Sequence, residues 1–227
     1  GEQNPDGHVV DSHPYGLAAG PDGRLWVADA GANTLVAVDV ETGEVTLEAV
    51  FDGLPGPLPN PLRGNALEMD PVPTGIVFDD EGTAYVSLLP GFPFIPGSTK
   101  VVTVDADGNA ADFATGLTML TDLRMGPDGN LYAVQIGVFG EQGPIPNSGA
   151  IIRVLEGDAS EVVVSGLSFP TSVDFDADGN AYVTTNGVGA PGSGEVVMVH
   201  SLVDLPGMPV AEAMQMMMQT MEEAPAP

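Results

Sequence analysis

Residues 14–38, Pro-Tyr-Gly-Leu-Ala-Ala-Gly-Pro-Asp-Gly-Arg-Leu-Trp-Val-Ala-Asp-Ala-Gly-Ala-Asn-Thr-Leu-Val-Ala-Val, contain three short apolar runs separated by two Gly-rich breaks. The first break, Gly20-Pro21-Asp22-Gly23, places Asp-Gly between two apolar runs. That arrangement is the strongest short-range signal for a β-hairpin, because glycine adopts positive φ without steric cost. The stretch therefore predicts three or four antiparallel strands joined by tight turns.

The same pattern returns three more times along the chain. Its turn glycines are 59, 47 and 50 residues apart, at Gly23, Gly82, Gly129 and Gly179. Three positions after each glycine comes an aromatic residue: Trp26, Tyr85, Tyr132 and Tyr182. A period near 50 residues with three or four strands is typical of a β-propeller blade. We interpret the recurrent aromatic as filling the core between adjacent blades.

The repeats predict an all-β protein, a β-propeller with four recognisable blades and a short C-terminal helical tail. The propeller covers residues 1–205, and its blades lie near 9–51, 73–116, 118–165 and 167–205. Four blades either close tightly on themselves or leave blade faces open as part of a larger ring, such as one of six. The proline-rich stretch 52–72 is predicted to be a surface loop without regular strands.

The tail, residues 206–227, breaks the repeat. Its segment 208–221 lacks glycine and is rich in Ala, Met, Glu and Gln, which favours a helix of about three turns. Methionine suits irregular apolar contacts, so this segment is a candidate cover for an open blade or for another chain. We therefore expect a homo-oligomer or a larger protein assembly rather than a free monomer.

Composition restricts the function classes. With 32 acidic and 5 basic residues the formal net charge is −27, which argues against nucleic acid and against anionic membrane surfaces. No cysteine is present, so thiolate metal sites and cysteine catalysis are excluded. No apolar run predicts a transmembrane segment, and no signal peptide is visible. The chain begins without methionine, so we expect a processed or incomplete start.

Several longer motifs resemble the ScyD/ScyE-like family, within the propeller group that includes NHL-repeat and streptogramin-lyase-like proteins. The resemblance runs from about Asn4 to about Gly187. Its most specific pieces are Asn4-Pro5-Asp6-Gly7, His13-Pro14-Tyr15-Gly16, Ala28-Asp29-Ala30-Gly31-Ala32-Asn33, Val72-Pro73-Thr74-Gly75 and Gly91-Phe92-Pro93-Phe94. The resemblance implies about six blades and an extracytoplasmic protein: secreted, periplasmic or on the cell surface.

Candidate site residues lie where the first strands of the blades end, because these strands line the channel of a propeller. This places Tyr15, Thr74, Asp122 and Thr171 near one mouth. The residues His13, Asp29 and Asn33 are expected to reach the same rim. A carboxylate, an imidazole and amides on one pocket suit metal binding or general acid–base work. The alternatives are that Asp29 and Asn33 cap a turn and that His13 is an ordinary loop histidine.

Two Asp-x-Asp-Gly stretches, at 105–108 and 176–179, invite a calcium interpretation. An EF-hand loop needs a glutamate eleven residues after the first Asp, where this chain has Gly116 and Gly187. We interpret both stretches as hairpin turns. No cofactor is evident from the sequence, although a divalent cation such as calcium is compatible with it.

Two functional hypotheses follow. The first is an extracytoplasmic binding or assembly module without catalytic machinery, since the repeats contain no recurrent catalytic constellation. The alternative is a metal-dependent lactonase-like or lyase-like enzyme whose site lies at the mouth of the central channel.

Overall fold

The computed structural model describes residues 11–140 and 143–223. It shows an all-β protein with four larger sheets, arranged as four propeller blades, two small two-stranded sheets and one C-terminal α-helix. The predicted turn at residues 4–7 and the predicted edge strand at residues 9–10 lie outside the described residues.

Blade 1 is a four-stranded antiparallel sheet in chain order: β1 (Pro14–Ala19), β2 (Leu25–Asp29), β3 (Thr34–Val38) and β4 (Val45–Val50). A hairpin follows it, formed by β5 (Leu54–Asn60) and β6 (Ala66–Met69). Blade 2 has the same order: β7 (Pro71–Phe78), β8 (Ala84–Pro90), β9 (Thr99–Val104) and β10 (Ala110–Leu117).

Blade 3 begins with β11 (Leu120–Met125) and β12 (Leu131–Gln135), and a small hairpin of β13 (Phe139–Gly140) and β14 (Gly143–Pro144) interrupts it. The blade continues with β15 (Gly149–Val154) and β16 (Glu161–Leu167). Blade 4 has three strands: β17 (Ser172–Phe175), β18 (Ala181–Thr185) and β19 (Glu195–Val199). The inner strands of the four blades are thus β1, β7, β11 and β17.

The C-terminal segment returns to blade 3 instead of completing blade 4. Strand β20 (Met208–Pro209) pairs with β16, and the helix α1 (Val210–Glu223) follows directly. The predicted helical tail is confirmed, with its start two residues later than the pattern indicated. Among the described residues, no helix is both long and apolar enough to cross a bilayer.

The prediction that residues 52–72 lack regular strands is wrong. The hairpin β5–β6 occupies this stretch, with Leu54 paired to Met69 and Pro59 paired to Leu67. Its prolines fall on every second residue, at 55, 57 and 59. Because successive residues of a strand point their N–H groups to opposite edges, these prolines remove donors from one edge only.

Each blade packs its sheet face against the next blade, which produces three apolar cores. The first core lies between blades 1 and 2, the second between blades 2 and 3, and the third between blades 3 and 4. Two of the recurrent aromatics confirm the interpretation of inter-blade filling, whereas for Tyr182, which is 41% exposed, the interpretation is wrong. Trp26 meets Phe78 edge-on with ring centres 5.3 Å apart, and Tyr132 meets Phe175 at 5.0 Å.

Two glycines of the inner strands set the distance between blades. A Cβ atom on Gly16 would collide with the carbonyl oxygen of Thr74, and one on Gly75 would collide with the backbone nitrogen of Leu123. Blade 1 therefore approaches blade 2, and blade 2 approaches blade 3, backbone against backbone. Only glycine allows this approach without displacing a neighbouring strand.

Blades 1 and 4 each keep one sheet face open. On blade 1, cross-strand pairing aligns Leu17, Val27, Val36 and Leu47 on the face that points away from blade 2. Both ends of this row, Leu17 and Leu47, are exposed. On blade 4 the open face carries the exposed Tyr182, Val196 and Met198. The other inner strands pack side by side, β1 with β7, β7 with β11 and β11 with β17. Among the described residues, β1 and β17 do not pack closely against each other.

The aromatic after each turn has a second role that the sequence did not indicate: it donates a hydrogen bond to a turn aspartate. In blade 1 the Trp26 indole N–H reaches Asp22 at 3.2 Å, and in blade 3 the Tyr132 hydroxyl reaches Asp128 at 2.9 Å. In blade 4 the donor Tyr182 reaches Asp176 at 3.3 Å.

Two forms of the turn achieve the same contact. Where the turn is Gly-Pro-Asp-Gly, the aspartate is its third residue, and a Cβ on the first glycine would collide with the aromatic ring. Where the turn begins with aspartate, as at Asp176, that first carboxylate accepts the bond itself. The stretches at 105–108 and 176–179 are hairpin turns, because Asp105 and Asp176 accept bonds from backbone and asparagine side chain.

Asp128→Asn is expected to destabilise the protein near neutral pH by about 1 kcal/mol, a low value because this carboxylate is solvent-exposed. Partial burial opposes ionisation, but hydrogen bonds from Asn130 and Tyr132 outweigh it and lower the pKa of Asp128 below its usual value. A lowered pKa stabilises the fold above the unfolded-state pKa, and this stabilisation is lost as pH falls through the folded-state pKa. The difference between wild type and variant should therefore vanish in acid.

Urea unfolding at about pH 6.5 and about pH 2.5 measures that difference. Asp178→Asn is the matched control, because Asp178 is also the third residue of its turn but Asp176 binds the tyrosine there. An equal loss at both pH values, or an equal loss in the control, would contradict the role of the ionised carboxylate.

Candidate functional site

The four inner strands surround a cavity of about 400 Å³. All four blades contribute to its lining: Tyr15, Gly16 and Leu17 from blade 1, Thr74, Gly75 and Ile76 from blade 2, Thr121, Asp122 and Arg124 from blade 3, and Thr171 and Ser172 beside blade 4. Of the predicted site residues, Tyr15, Thr74, Asp122 and Thr171 thus share one cavity. The volume lies in the range of small-molecule sites.

The carboxylate of Asp122 is the central charged group of this cavity, and the residue is 7% exposed. Its Oδ2 accepts a hydrogen bond from the Ser172 hydroxyl at 2.5 Å and another from the Val173 N–H at 3.2 Å. Its Oδ1 accepts from the Leu123 N–H at 2.9 Å. Asp122 therefore joins blade 3 to blade 4 and faces the cavity with its negative charge fixed in place.

Two further polar groups face Asp122. The guanidinium Nη1 of Arg124 lies 3.8 Å from Asp122 Oδ1, and this arginine is partly exposed to solvent. Partial burial, and then the negative charge of Asp122, raise the pKa of Tyr15 above its usual value near 10. The Tyr15 hydroxyl consequently stays protonated at neutral pH and can donate a hydrogen bond.

The two threonines of the cavity already have partners within the protein. The Thr74 hydroxyl, which is buried, lies 3.0 Å from the Leu120 carbonyl oxygen and 3.0 Å from the Ser87 hydroxyl. The hydroxyls of Thr171 and Thr184 are 2.9 Å apart. These contacts tie blade 2 to blade 3 and hold the start of blade 4, so both threonines serve mainly to shape the cavity.

The other predicted residues do not line the cavity. Asp29 accepts bonds from the Ser12 hydroxyl at 2.6 Å and from the N–H groups of His13 at 2.7 Å and Gly31 at 3.2 Å. Asp29 therefore caps a turn, as in the alternative given by the sequence. The side chain of His13 is exposed. Asn33 adopts a left-handed φ of 55°, and its buried side-chain oxygen has no hydrogen-bond partner among the residues that the structure describes.

Sequence reasoning missed Arg124 and Ser172. Arg124 is one of only five basic residues, and it follows Asp122 by two positions, so both side chains lie on the same side of β11. That spacing was a usable signal. For Ser172 there was none, because its contact with Asp122 spans 50 residues and depends on how blade 4 docks against blade 3.

The cavity residues do not fit a divalent cation. Within residues 11–140 and 143–223, no group of three or more His, Asp or Glu side chains is placed to hold a metal ion. Among the described lining residues, Asp122 is the one carboxylate, and Arg124 adds a positive charge beside it. The calcium that the sequence left possible therefore finds no ligand set among these residues.

No family model matches the chain. The chain is 24% identical over 203 residues to a curated gluconolactonase from Zymomonas mobilis, with 82% of this chain and 53% of that protein covered. It thus spans about half the length of this curated relative. A solved structure of the gluconolactonase XC5397 from Xanthomonas campestris matches with a TM-score of 0.54 and 15% identity, covering 85% of this chain and 60% of that one.

A weaker likeness, with a TM-score of 0.42 and 13% identity, is to virginiamycin B lyase from Staphylococcus aureus, over 82% of this chain and 69% of that one. The XC5397 match supports the propeller fold, and these comparisons do not single out the ScyD/ScyE-like family. The hypothesis of a binding module without catalytic machinery is wrong. The curated relative and the XC5397 structure carry the name of an enzyme, which favours the enzymatic alternative.

Proposed function

We propose that this chain carries the active site of a lactonase-type enzyme, which hydrolyses the ester bond of a small cyclic substrate in the central cavity. One observation carries the proposal. Three blades bring a buried carboxylate, a serine hydroxyl, a protonated tyrosine and a guanidinium to the same cavity of about 400 Å³. The likeness to proteins named gluconolactonase supports a lactone as the substrate class.

Ester hydrolysis needs a proton acceptor for the attacking water and donors for the oxyanion that forms. We assign the first role to Asp122. It takes a proton from water as the water oxygen bonds to the carbonyl carbon, and it returns that proton to the ring oxygen when the C–O bond breaks. The guanidinium of Arg124 and the hydroxyl of Tyr15 stabilise the negative charge on the carbonyl oxygen.

The lining also explains how a neutral, polar substrate is held. The chain is strongly acidic overall, yet the cavity pairs its single carboxylate with a cation and several hydroxyls. Such a lining binds a hydroxylated lactone by hydrogen bonds.

The first experiment follows acid release in a pH-stat when the chain is supplied with five-membered and six-membered sugar lactones. We expect turnover of at least one lactone above the rate in buffer, and much slower turnover of an open-chain ester of similar size. If wild-type protein releases no acid from any lactone of either ring size, the proposed function is wrong.

Tyr15→Phe is expected to lower kcat/KM by about 100-fold, the usual loss when one oxyanion donor is removed. The neutral phenol is the donor, and the pKa of Tyr15 is raised, so wild-type activity should persist through neutral pH and decline only above about pH 10. Tyr182→Phe is the control, because Tyr182 lies on the open face of blade 4 and bonds Asp176. Equal activities for the two variants would show that the Tyr15 hydroxyl does not stabilise the oxyanion.

A further inference from the structure

Blade 3 and the C-terminal segment enclose a second cavity, of about 580 Å³, whose lining shares no residue with the first. Strand β16 forms one wall, with Val162, Val163 and Ser165, while β20 and α1 form the other. Four methionines line the second wall: Met208, Met214, Met216 and Met217. The proposed lactonase chemistry uses none of these residues.

Methionine is concentrated here more than packing alone requires. Six of the ten methionines of the chain fall between positions 208 and 221, within 14 residues. Leucine would fill the same apolar volume and has an equal or better helix propensity. What methionine adds is a thioether sulfur, which is a soft metal ligand.

The geometry allows several of these sulfurs to meet. Met214 and Met217 are three residues apart on α1, so they lie on the same face of the helix with Cβ atoms about 5–6 Å apart. Met208 reaches the cavity from a different element, β20, which precedes the helix. Methionine has three rotatable side-chain bonds, so thioethers from both elements are able to turn toward one point.

The rest of the lining selects for a soft cation. The cavity contains amides and hydroxyls, from Gln135, Asn147, Ser148 and Ser165, but none of its described lining residues carries a carboxylate, imidazole or amine. Calcium and magnesium require hard oxygen ligands, and zinc prefers thiolate or imidazole. Thioethers instead favour Cu(I) and its redox-inert analogue Ag(I).

Access and charge also suit a small cation. Met208 and Met216 are 36% and 52% exposed, while Met214 and Met217 are half-buried, so the sulfurs extend from the surface into the cavity. No arginine or lysine lines it, and the net charge of −27 attracts cations toward the whole molecule. We propose that this cavity is a thioether site for a monovalent soft metal ion, Cu(I) in particular.

The test uses the full chain with two probes. Ag(I) is titrated calorimetrically in sodium nitrate with excess Mg²⁺, and Cu(I), kept reduced by ascorbate, is competed against bicinchoninate. We expect one ion per chain. Met214→Leu/Met217→Leu should weaken binding by about 100-fold or more, since even changes behind the direct ligands cost 10–100-fold.

The control is Met125→Leu/Met198→Leu, which removes two sulfurs from positions outside the cavity and should leave binding unchanged. Leucine conserves volume, so both variants are expected to fold. Independently, wild-type protein labelled with ¹³C at the methionine methyl groups should show Ag(I)-dependent shifts for the cavity methionines and not for the buried Met69. No uptake, equal binding by the two double variants, or shifts confined to other methionines would overturn the proposal.

Discussion

Asp122→Asn is expected to lower kcat/KM for lactone hydrolysis by about 10²- to 10⁴-fold, the usual contribution of a positioned acid–base group. Asparagine keeps the shape of the side chain and an oxygen that accepts the Ser172 hydrogen bond, but it cannot take a proton from water. The loss should appear mainly in kcat, because proton transfer occurs in the transition state. Initial rates in the pH-stat, followed over a range of lactone concentrations, give kcat and KM.

Asp174→Asn is the matched control for this variant. Asp174 lies on the neighbouring inner strand β17 and is exposed, and its carboxylate accepts a bond only from the adjacent Phe175 N–H among the described residues. Both variants remove one negative charge from the same region. If Asp122→Asn retains activity within a few-fold of the control while remaining folded, the cavity is not the site of hydrolysis.

Gly75→Ala should cause the largest loss of stability among the substitutions considered, about 3 kcal/mol, at the upper end of the cost of overpacking. The added Cβ would collide with the backbone of Leu123, so β7 and β11 must separate along the second inter-blade core. For a chain of this size that loss lowers Tm by about 6–12 °C. Differential scanning calorimetry measures the shift.

Gly194→Ala provides the comparison. Its nearest neighbour to an added Cβ is the Thr185 carbonyl oxygen at 4.0 Å, which is open space, and Gly194 is absent from the positive-φ positions. We expect a change in Tm of less than about 2 °C, as is usual for substitutions away from packed features. A Gly75→Ala protein as stable as this control would mean that blades 2 and 3 can separate freely.

The fold was largely predictable because each blade is local in sequence. A tight turn such as Gly126-Pro127-Asp128-Gly129 fixes a hairpin within about 15 residues, and the sequence repeat places the same hairpin in each blade. The third apolar run of the first repeat, from Leu35 to Val38, likewise lies within a strand, β3. The hairpin β5–β6 escaped prediction because proline density was taken as evidence against any strand, although alternating prolines leave one edge free to pair.

The site was only partly predictable, because it depends on the distances between blades. Asp122 and Tyr15 could be placed at one mouth from the rule that inner strands line the channel. Asp29 and Asp122 were both candidates, although Asp29 ends β2 beside the turn that it caps, whereas Asp122 lies within β11 and lines the cavity. Only the docking of blade 4 on blade 3 shows that Ser172 belongs with Asp122.

The open faces of blades 1 and 4 have a consequence for hydrogen exchange. Among the described residues, blades 2 and 3 each border two of the three apolar cores, whereas blades 1 and 4 each border one. In stacked repeats, stability is a sum of nearest-neighbour interfaces, so opening is cheapest at the ends. Amide protons should therefore exchange faster in β1 and β17 than in β7 and β11. Asp122 then sits on the slowest-exchanging part of the molecule, while Tyr15 and Ser172, supplied by blades at the two ends, join and leave the cavity as those blades open and close.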